Sequence, residues 1–264
     1  MKRKLLIAGA AFFAALFLFS GFMLYREYAD SKQSADAFES LAGLVLEESP
    51  IQSDDTADSP GDTTEETEPQ ITPAEKYGLL YEQNSDFVGW ITIDGTNINY
   101  PVMQTPDNPN FYLKHNFEKE YSNHGVPYVQ ENCTLGASDN VIIYGHHMID
   151  GSMFADLCKY ESEDFYREHK TIRFDTLSEY GEYEIVTVFK TVAYSPEGFQ
   201  YNRFVNAEDK AAFDEFLAGC NALRLYDTGV STEYGEKLIC LSTCEYSHTN
   251  GRLVVLAKKV GGNA

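Results

Sequence analysis

An almost unbroken apolar run from Leu5 to Leu24 follows directly on Lys2, Arg3 and Lys4. About 20 such residues are what a helix needs to cross the hydrocarbon core of a bilayer. The basic flank is expected to stay on the cytoplasmic side, which puts everything after Tyr25 outside the cell membrane. A cleaved signal peptide is the alternative, because Ala35-Asp36-Ala37 has the small-x-small pattern of a cleavage site. That site lies far beyond the apolar run, however, and the run is long for such a leader. Residues 1–25 are therefore read as a cytoplasmic tip and transmembrane signal anchor, with the membrane as partner.

The formal charge of −21 argues against nucleic acid, whose phosphates need Lys and Arg to displace counterions. Much of that charge is local: residues 47–75 hold ten acidic side chains and no basic one, whereas residues 76–264 hold 27 acidic against 15 basic. From Arg26 to Leu46, Phe38, Leu41, Leu44 and Val45 recur at a weak helical spacing that continues the apolar helix outward. Ser49 to Gln70 has almost no apolar side chains and is expected to be a disordered, self-repelling tether. Residues 26–72 thus read as a juxtamembrane segment and acidic linker. The folded domain, 73–264, opens at Thr72-Pro73-Ala74-Glu75, a helix start with a capping box and proline in the first turn.

Within that domain most segments read as strands. Phe87 to Ile93 and Thr96 to Val102 flank Asp94-Gly95, a pair favoured in tight hairpins. Further strand-like runs are Val126 to Gln130, Val141 to Tyr144, Thr171 to Phe174, Tyr183 to Val192, Lys237 to Thr243 and Leu253 to Val260. Met153 to Tyr160 and Ala207 to Ala218 read as helices, the second with Asn206 as N-cap and Gly219 as stop. Seven or eight strands with inserted helices imply a mainly β fold, a closed barrel or a sandwich.

Five cysteines, Cys133, Cys158, Cys220, Cys240 and Cys244, are an odd number, so at least one thiol is free or pairs with another chain. Cys240 and Cys244 share a strand face but stand roughly 13 Å apart, too far for a disulfide. His115, His124, His169 and His248 occur singly, without metal-ligand spacing, and read as surface or packing residues. No metal or other cofactor is implied.

Two strand ends carry chemistry-bearing side chains. Asn140-Val-Ile-Ile-Tyr-Gly145 breaks into His146 and His147, and Leu238-Ile-Cys-Leu-Ser-Thr ends on Cys244. Eight residues later Arg252 opens the last strand. A thiol, an imidazole and a guanidinium supply the minimum for acyl transfer: a nucleophile, a proton donor for the leaving amine, and a cationic fork for the substrate carbonyl. Adjacent strand residues point to opposite faces, so His146 and His147 cannot both face the thiol.

Tyr144-Gly145-His146-His147-Met148 with Asp150-Gly151-Ser152-Met153-Phe154 resembles the histidine segment of class B sortases. Leu241-Ser242-Thr243-Cys244-Glu245 with Arg252-Leu253-Val254-Val255 resembles their cysteine and arginine segment. Gly89-Trp90-Ile91 and Asn99-Tyr100-Pro101-Val102 look like the family's first barrel strands, and the helix from Ala207 like an insertion typical of class B. The resemblance implies a closed eight-stranded β-barrel with an N-terminal helix and inserted helices. It implies Cys244 as nucleophile, His146 as general acid/base and Arg252 as oxyanion and substrate clamp. It further implies a Cys thioester with the sorting signal of a surface protein, resolved by an amine of a peptidoglycan precursor. Asn108, Leu113, Tyr201, Ser242 and Glu245 fall near positions that line the family's peptide groove, with core packing the alternative for Leu113 and Tyr201. His147 stands where many relatives have asparagine. Cys133, Cys158, Cys220 and Cys240 match no catalytic position and are expected to be structural. A pilin polymerase with the same triad, a hydrolytic cysteine peptidase and a membrane-anchored binding module remain as alternatives.

Overall fold

The computed structural model describes residues 2–45, 71–193, 195 and 198–261, without the side chains of residues 2–6, 8 and 11. The disorder expected over residues 49–70 lies outside the described residues. Among the described residues no helix is long and apolar enough to cross a membrane.

Eight strands close into a barrel: β1 (Phe87–Thr92), β2 (Asn99–Met103), β3 (Tyr128–Val129), β4 (Asn140–Tyr144), β5 (Thr171–Thr176), β6 (Glu182–Val192), β7 (Leu238–Cys244) and β8 (Gly251–Gly261). Their order around the barrel is β1-β2-β3-β4-β7-β8-β6-β5, with β5 pairing back onto β1. The pairs β2/β3 and β4/β7 are parallel and the rest antiparallel. The sequence pattern explains which strands sit centrally. Leu238 to Thr243 of β7 and Leu253 to Ala257 of β8 are all buried, as expected of strands covered on both faces, which read as continuous apolar runs. In β5, by contrast, Ile172 and Phe174 point in and Arg173 points out, the alternation of a strand with one wet face.

Helix α2 (Pro73–Gln83) starts where its capping box does. The Thr72 hydroxyl accepts from the Glu75 amide at 3.3 Å, and the Glu75 carboxylate accepts from the Thr72 amide at 2.9 Å. Helix α1 (Lys2–Ala42) is continuous through residues 26–42, and its last turns are packed on the barrel. Phe38 and Leu41 are buried there, the Phe38 ring meeting Tyr100 of β2 edge-on at 5.0 Å. This part of the expected linker is therefore docked helix.

Three local expectations are corrected. The β1–β2 connection is longer than a two-residue hairpin: the Ile93 amide donates to the Ile98 carbonyl, and within the turn only Gly95 has positive φ, 74°. The segment after Met153 is a 3₁₀ helix, Ala155–Glu161, because Met153 itself sits at φ 56° and breaks any regular α start. The helix expected from Ala207 is α4 (Lys210–Ala222), capped by Asp209, whose carboxylate accepts from the Ala212 amide at 2.9 Å. Asn206 instead accepts from the Asp139 amide, and Gly219 lies inside α4, where it leaves room for the Phe199 ring. A fourth helix, α3 (Glu163–Glu168), follows the 3₁₀ segment.

Gly89 lies at an irregularity of β1, where a Cβ would stand 2.3 Å from the Asp175 carbonyl oxygen. Gly89→Ala is expected to cost about 1–3 kcal/mol by overpacking against that backbone. Thermal unfolding should show a midpoint lowered by several degrees; an unchanged midpoint would show that β1 and β5 can re-space.

Candidate active site

The site is assembled by three neighbouring strands. Parallel pairing brings Tyr144 of β4 level with Ser242 of β7. The pairing continues past the end of β4: the Gly145 amide donates to the Ser242 carbonyl at 3.1 Å, and the Thr243 hydroxyl donates to the Gly145 carbonyl at 2.9 Å. Beyond Gly145 the ladder ends, and His146 enters the cavity that Cys244 also lines. On the other flank, antiparallel β7 and β8 place Cys244 directly opposite Arg252. Opposed residues project to the same face, and neighbouring strands lie ~4.8 Å apart. His146, Cys244 and Arg252 accordingly line one cavity of about 510 Å³.

Gly145 is needed for this arrangement, since a Cβ there would stand 2.5 Å from the Phe154 ring. Phe154 in turn donates its amide to the His146 carbonyl at 2.8 Å, closing the loop that carries the imidazole. The His146 Nε2 lies 2.7 Å from the Leu113 carbonyl. A carbonyl only accepts, so this nitrogen carries a proton and Nδ1 is the basic nitrogen of the neutral ring. Burial pushes the His146 pKa down, the Leu113 carbonyl opposes it, and Lys114 and His124 push it down further, for a net lowering. The imidazole is therefore neutral at neutral pH, able to take a proton from a thiol and return it to an amine.

His147 occupies the other side of the same strand end, as alternation requires. Its Nδ1 is 3.1 Å from the backbone carbonyl of Cys244 and 3.3 Å from the Cys158 thiol, while Tyr246 packs on its ring and donates to its carbonyl at 3.0 Å. It holds the backbone of Cys244 from behind and does not line the cavity.

The five thiols are free. Cys133, Cys220 and Cys240 are buried, and burial pushes Cys240 up to about 12. Cys158, half-buried, is pushed to about 11, first by burial and then by Glu161 and Glu245. These thiols stay protonated at neutral pH, and of the five it is Cys244 that lines the cavity of His146 and Arg252. Among the described residues no group of His, Cys, Asp and Glu could hold a metal ion.

Of the groove residues expected from sequence, Leu113, Tyr201 and Ser242 line the cavity, the Tyr201 and Ser242 hydroxyls 2.6 Å apart. Asn108 and Glu245 do not line it. Glu245 turns away because its carboxylate accepts from the Ser247 amide at 2.5 Å and lies 3.4 Å from Lys190. Burial raises its pKa, but Ser247 and Lys190 outweigh that and hold it ionised. Asn110 lines the cavity two residues after Asn108, accepting from the Tyr128 hydroxyl at 2.9 Å. Gln130, also unanticipated, accepts from the Tyr144 hydroxyl at 2.5 Å and donates to the Asn202 carbonyl at 3.0 Å. The signal for this wall was present in the alternation of Tyr128 and Gln130, which share a strand face.

A family model described as the Sortase domain matches residues 91–260. A curated relative from Listeria monocytogenes, Sortase B, is 32% identical over 251 residues, covering 93% of this chain and 92% of its own length. The chain belongs to the sortase family. A sortase B structure from B. anthracis, in complex with AAEK1, superposes with a TM-score of 0.69 at 28% identity, over 88% of this chain and 99% of that one. A Staphylococcus aureus sortase B–substrate complex does so with a TM-score of 0.64 at 32% identity, over 70% of this chain and 84% of that one. The closed eight-stranded barrel expected from the sequence is thus the sortase B fold, and the sortase is a cysteine transpeptidase.

The depressed imidazole pKa of this sortase has a consequence for stability. The unfolded chain, with His146 at its ordinary value of about 6.5, binds the proton more readily than the folded one. This contribution is absent above about pH 6.5, grows as pH falls from there toward the lowered folded value, and is fully destabilising below it. The melting temperature is expected to fall across that acid window, and to fall less steeply in His146→Gln; parallel curves for the two proteins would contradict the burial of this ring.

Proposed function

We propose that this sortase cleaves the C-terminal sorting signal of a surface protein and transfers that protein to an amine of a peptidoglycan precursor. The observation that carries the proposal is the register that sets Cys244 opposite Arg252, in one peptide-sized cavity with His146. Cys244 attacks the scissile carbonyl as His146 takes its proton. Arg252 donates to the oxyanion that forms, and His146 passes the proton to the departing amine, leaving a thioester. The acceptor amine then attacks the thioester, its proton goes to His146, and the thiol is released. The amide and hydroxyl wall of Asn110, Tyr128, Gln130 and Asn202 suits an extended peptide, whose backbone needs donors and acceptors on both sides. The S. aureus structure described as a substrate complex supports the same use of the groove. A single-pass anchor with the barrel outside the membrane is part of the proposal: the sequence run Leu5 to Leu24, of which the side chains of residues 5, 6, 8 and 11 lie outside the described ones, has the length and apolar content of a span.

Single-turnover acylation by a sorting-signal peptide, followed by intact-mass detection of the thioester, tests the assignment. Cys244→Ala should form none, whereas Cys158→Ala and Cys220→Ala should retain the thioester. His146→Ala should lose nearly all activity and His147→Asn little. Arg252→Lys keeps the charge but loses the planar fork, so acylation should slow by on the order of 100-fold with the fold intact. An acyl-enzyme on Cys158, or normal acylation by Arg252→Lys with a lowered melting point, would overturn these roles.

A further inference from the structure

Helix α1 does more than meet the barrel through Phe38 and Leu41. One polar stretch of it, Asp30 and Ser31, meets the loop that follows His146. Ser31 donates to the Asp150 carboxylate at 2.6 Å, and the same oxygen lies 3.1 Å from Nε2 of His124. His124 is 3% exposed, and its Nδ1 makes no hydrogen bond but faces the Asp30 carboxylate at 3.5 Å. A buried imidazole is thus held between a carboxylate of α1 and a carboxylate of the catalytic-histidine loop.

Both partners of that imidazole lead to His146. Asp150 sits at the tip of the loop 146–154, whose base is closed by the Phe154 amide on the His146 carbonyl and by the bridge between His147 and Met153. Its other carboxylate oxygen accepts from the Ser152 amide at 3.0 Å and from the Ser152 hydroxyl at 2.6 Å, which fixes the tip. Burial raises the Asp150 pKa, but Ser152, Ser31 and His124 outweigh it and hold the group well below the usual carboxylate range. His124 precedes Gly125, whose φ of +60° lets the backbone approach so closely that a Cβ would stand 2.4 Å from the Tyr112 carbonyl oxygen and 2.9 Å from that of Leu113. The Leu113 carbonyl is the group that binds His146 Nε2. His124 therefore ties the loop bearing the imidazole to the segment bearing its acceptor.

We infer that α1 is a positioning element of the active site, in which Asp30 and Ser31 hold Asp150 and His124 and through them set the place of His146. The inference rests on the catalytic role proposed for His146. Asp30 and Ser31 do not line the cavity of Cys244; they act only through the two groups they hold. The effect on the imidazole is read against the charged and titratable groups around it: Lys114 and His124 from the adjoining segments, Asp150 on its own loop, and Cys244 and Arg252 across the cavity. With the clamp released, the loop opens to water and the His146 titration moves up toward its ordinary value, because burial is the main cause of its depression.

The test uses the full-length protein in detergent micelles, comparing wild type with the double variant Asp30→Asn, Ser31→Ala and with Ser31→Thr, which keeps the hydroxyl. Peptide acylation kinetics, thermal unfolding and the NMR titration of His146 are read on each. Misplacing a proton-transfer group without touching the peptide wall should lower kcat roughly tenfold, leave KM nearly constant and raise the His146 midpoint. The melting point should be nearly unchanged, and Ser31→Thr should stay close to wild type. An unchanged kcat overturns the inference, as does a fall in kcat accompanied by equal losses in the melting point and in Ser31→Thr. Should wild type itself form no thioester, the proposed function fails, and the His146 titration alone then decides whether α1 positions the ring: a raised midpoint in the double variant supports it and an unmoved one overturns it.

Discussion

The parallel pairing of β4 with β7 is the constraint on which the site depends. In a register fixed over five residues from Asn140↔Leu238 to Tyr144↔Ser242, β4 ends two residues before β7 does, so the chain leaving β4 enters the space beside the last residues of β7. A slip by one residue would turn every side chain of β7 to the other face, moving Cys244 out of the cavity and exchanging the side chains packed on its two covered faces. The shapes of the side chains packed on both faces, and the backbone ladder itself, hold the register. The core is in this sense what aligns the thiol with the imidazole, and β8 adds the guanidinium because a short loop returns the chain directly beside Cys244.

The same strand end separates two chemistries. On the cavity side stand a half-buried thiol, a neutral imidazole and a wall of amides and hydroxyls. Behind the backbone stand His147, Cys158, Tyr246 and the Lys190–Glu245–Glu161 cluster, which engage the Cys244 carbonyl and the following turn. Glu245 shows the division clearly: one residue beyond the thiol, it points backward and is neutralised by Lys190. Glu131 already lines the cavity beside Gln130, and a second carboxylate next to the thiol would oppose both thiolate and oxyanion, so the diversion of Glu245 favours the chemistry in front.

How far the sequence could be read follows from how local each signal is. The strands β4, β7 and β8 were legible because continuous apolar runs ending at Gly145, Cys244 and Arg252 carry their own boundaries. The capping box at Thr72 was legible for the same reason. What failed depended on distant contacts. The start of α4 moved to Asp209 because Asn206 is occupied by the amide of Asp139, and the 3₁₀ segment replaced an α-helix because Met153 adopts a left-handed φ that its sequence does not announce. In the groove, Ser242 is fixed by the strand pattern and was found; Asn108 was displaced by Asn110 because an irregular loop decides which amide turns inward. His124, a lone histidine by sequence, acquires its setting from Asp30 and Asp150, both far from it along the chain.

The docking of Phe38 and Leu41 on β2 alters what the acidic stretch can do. Because α1 reaches the barrel before residue 47, the ten carboxylates that follow are not the link between the N-terminal helix and the enzyme. A leash would let the barrel sweep a wide volume, diluting the cavity over many positions. With the membrane anchor proposed above, a strut would confine it to one height and one tilt, and its encounter with a membrane-held sorting signal would be a two-dimensional search. The effective concentration of cavity for substrate is then governed by helix stiffness, and lengthening the acidic stretch would leave it untouched.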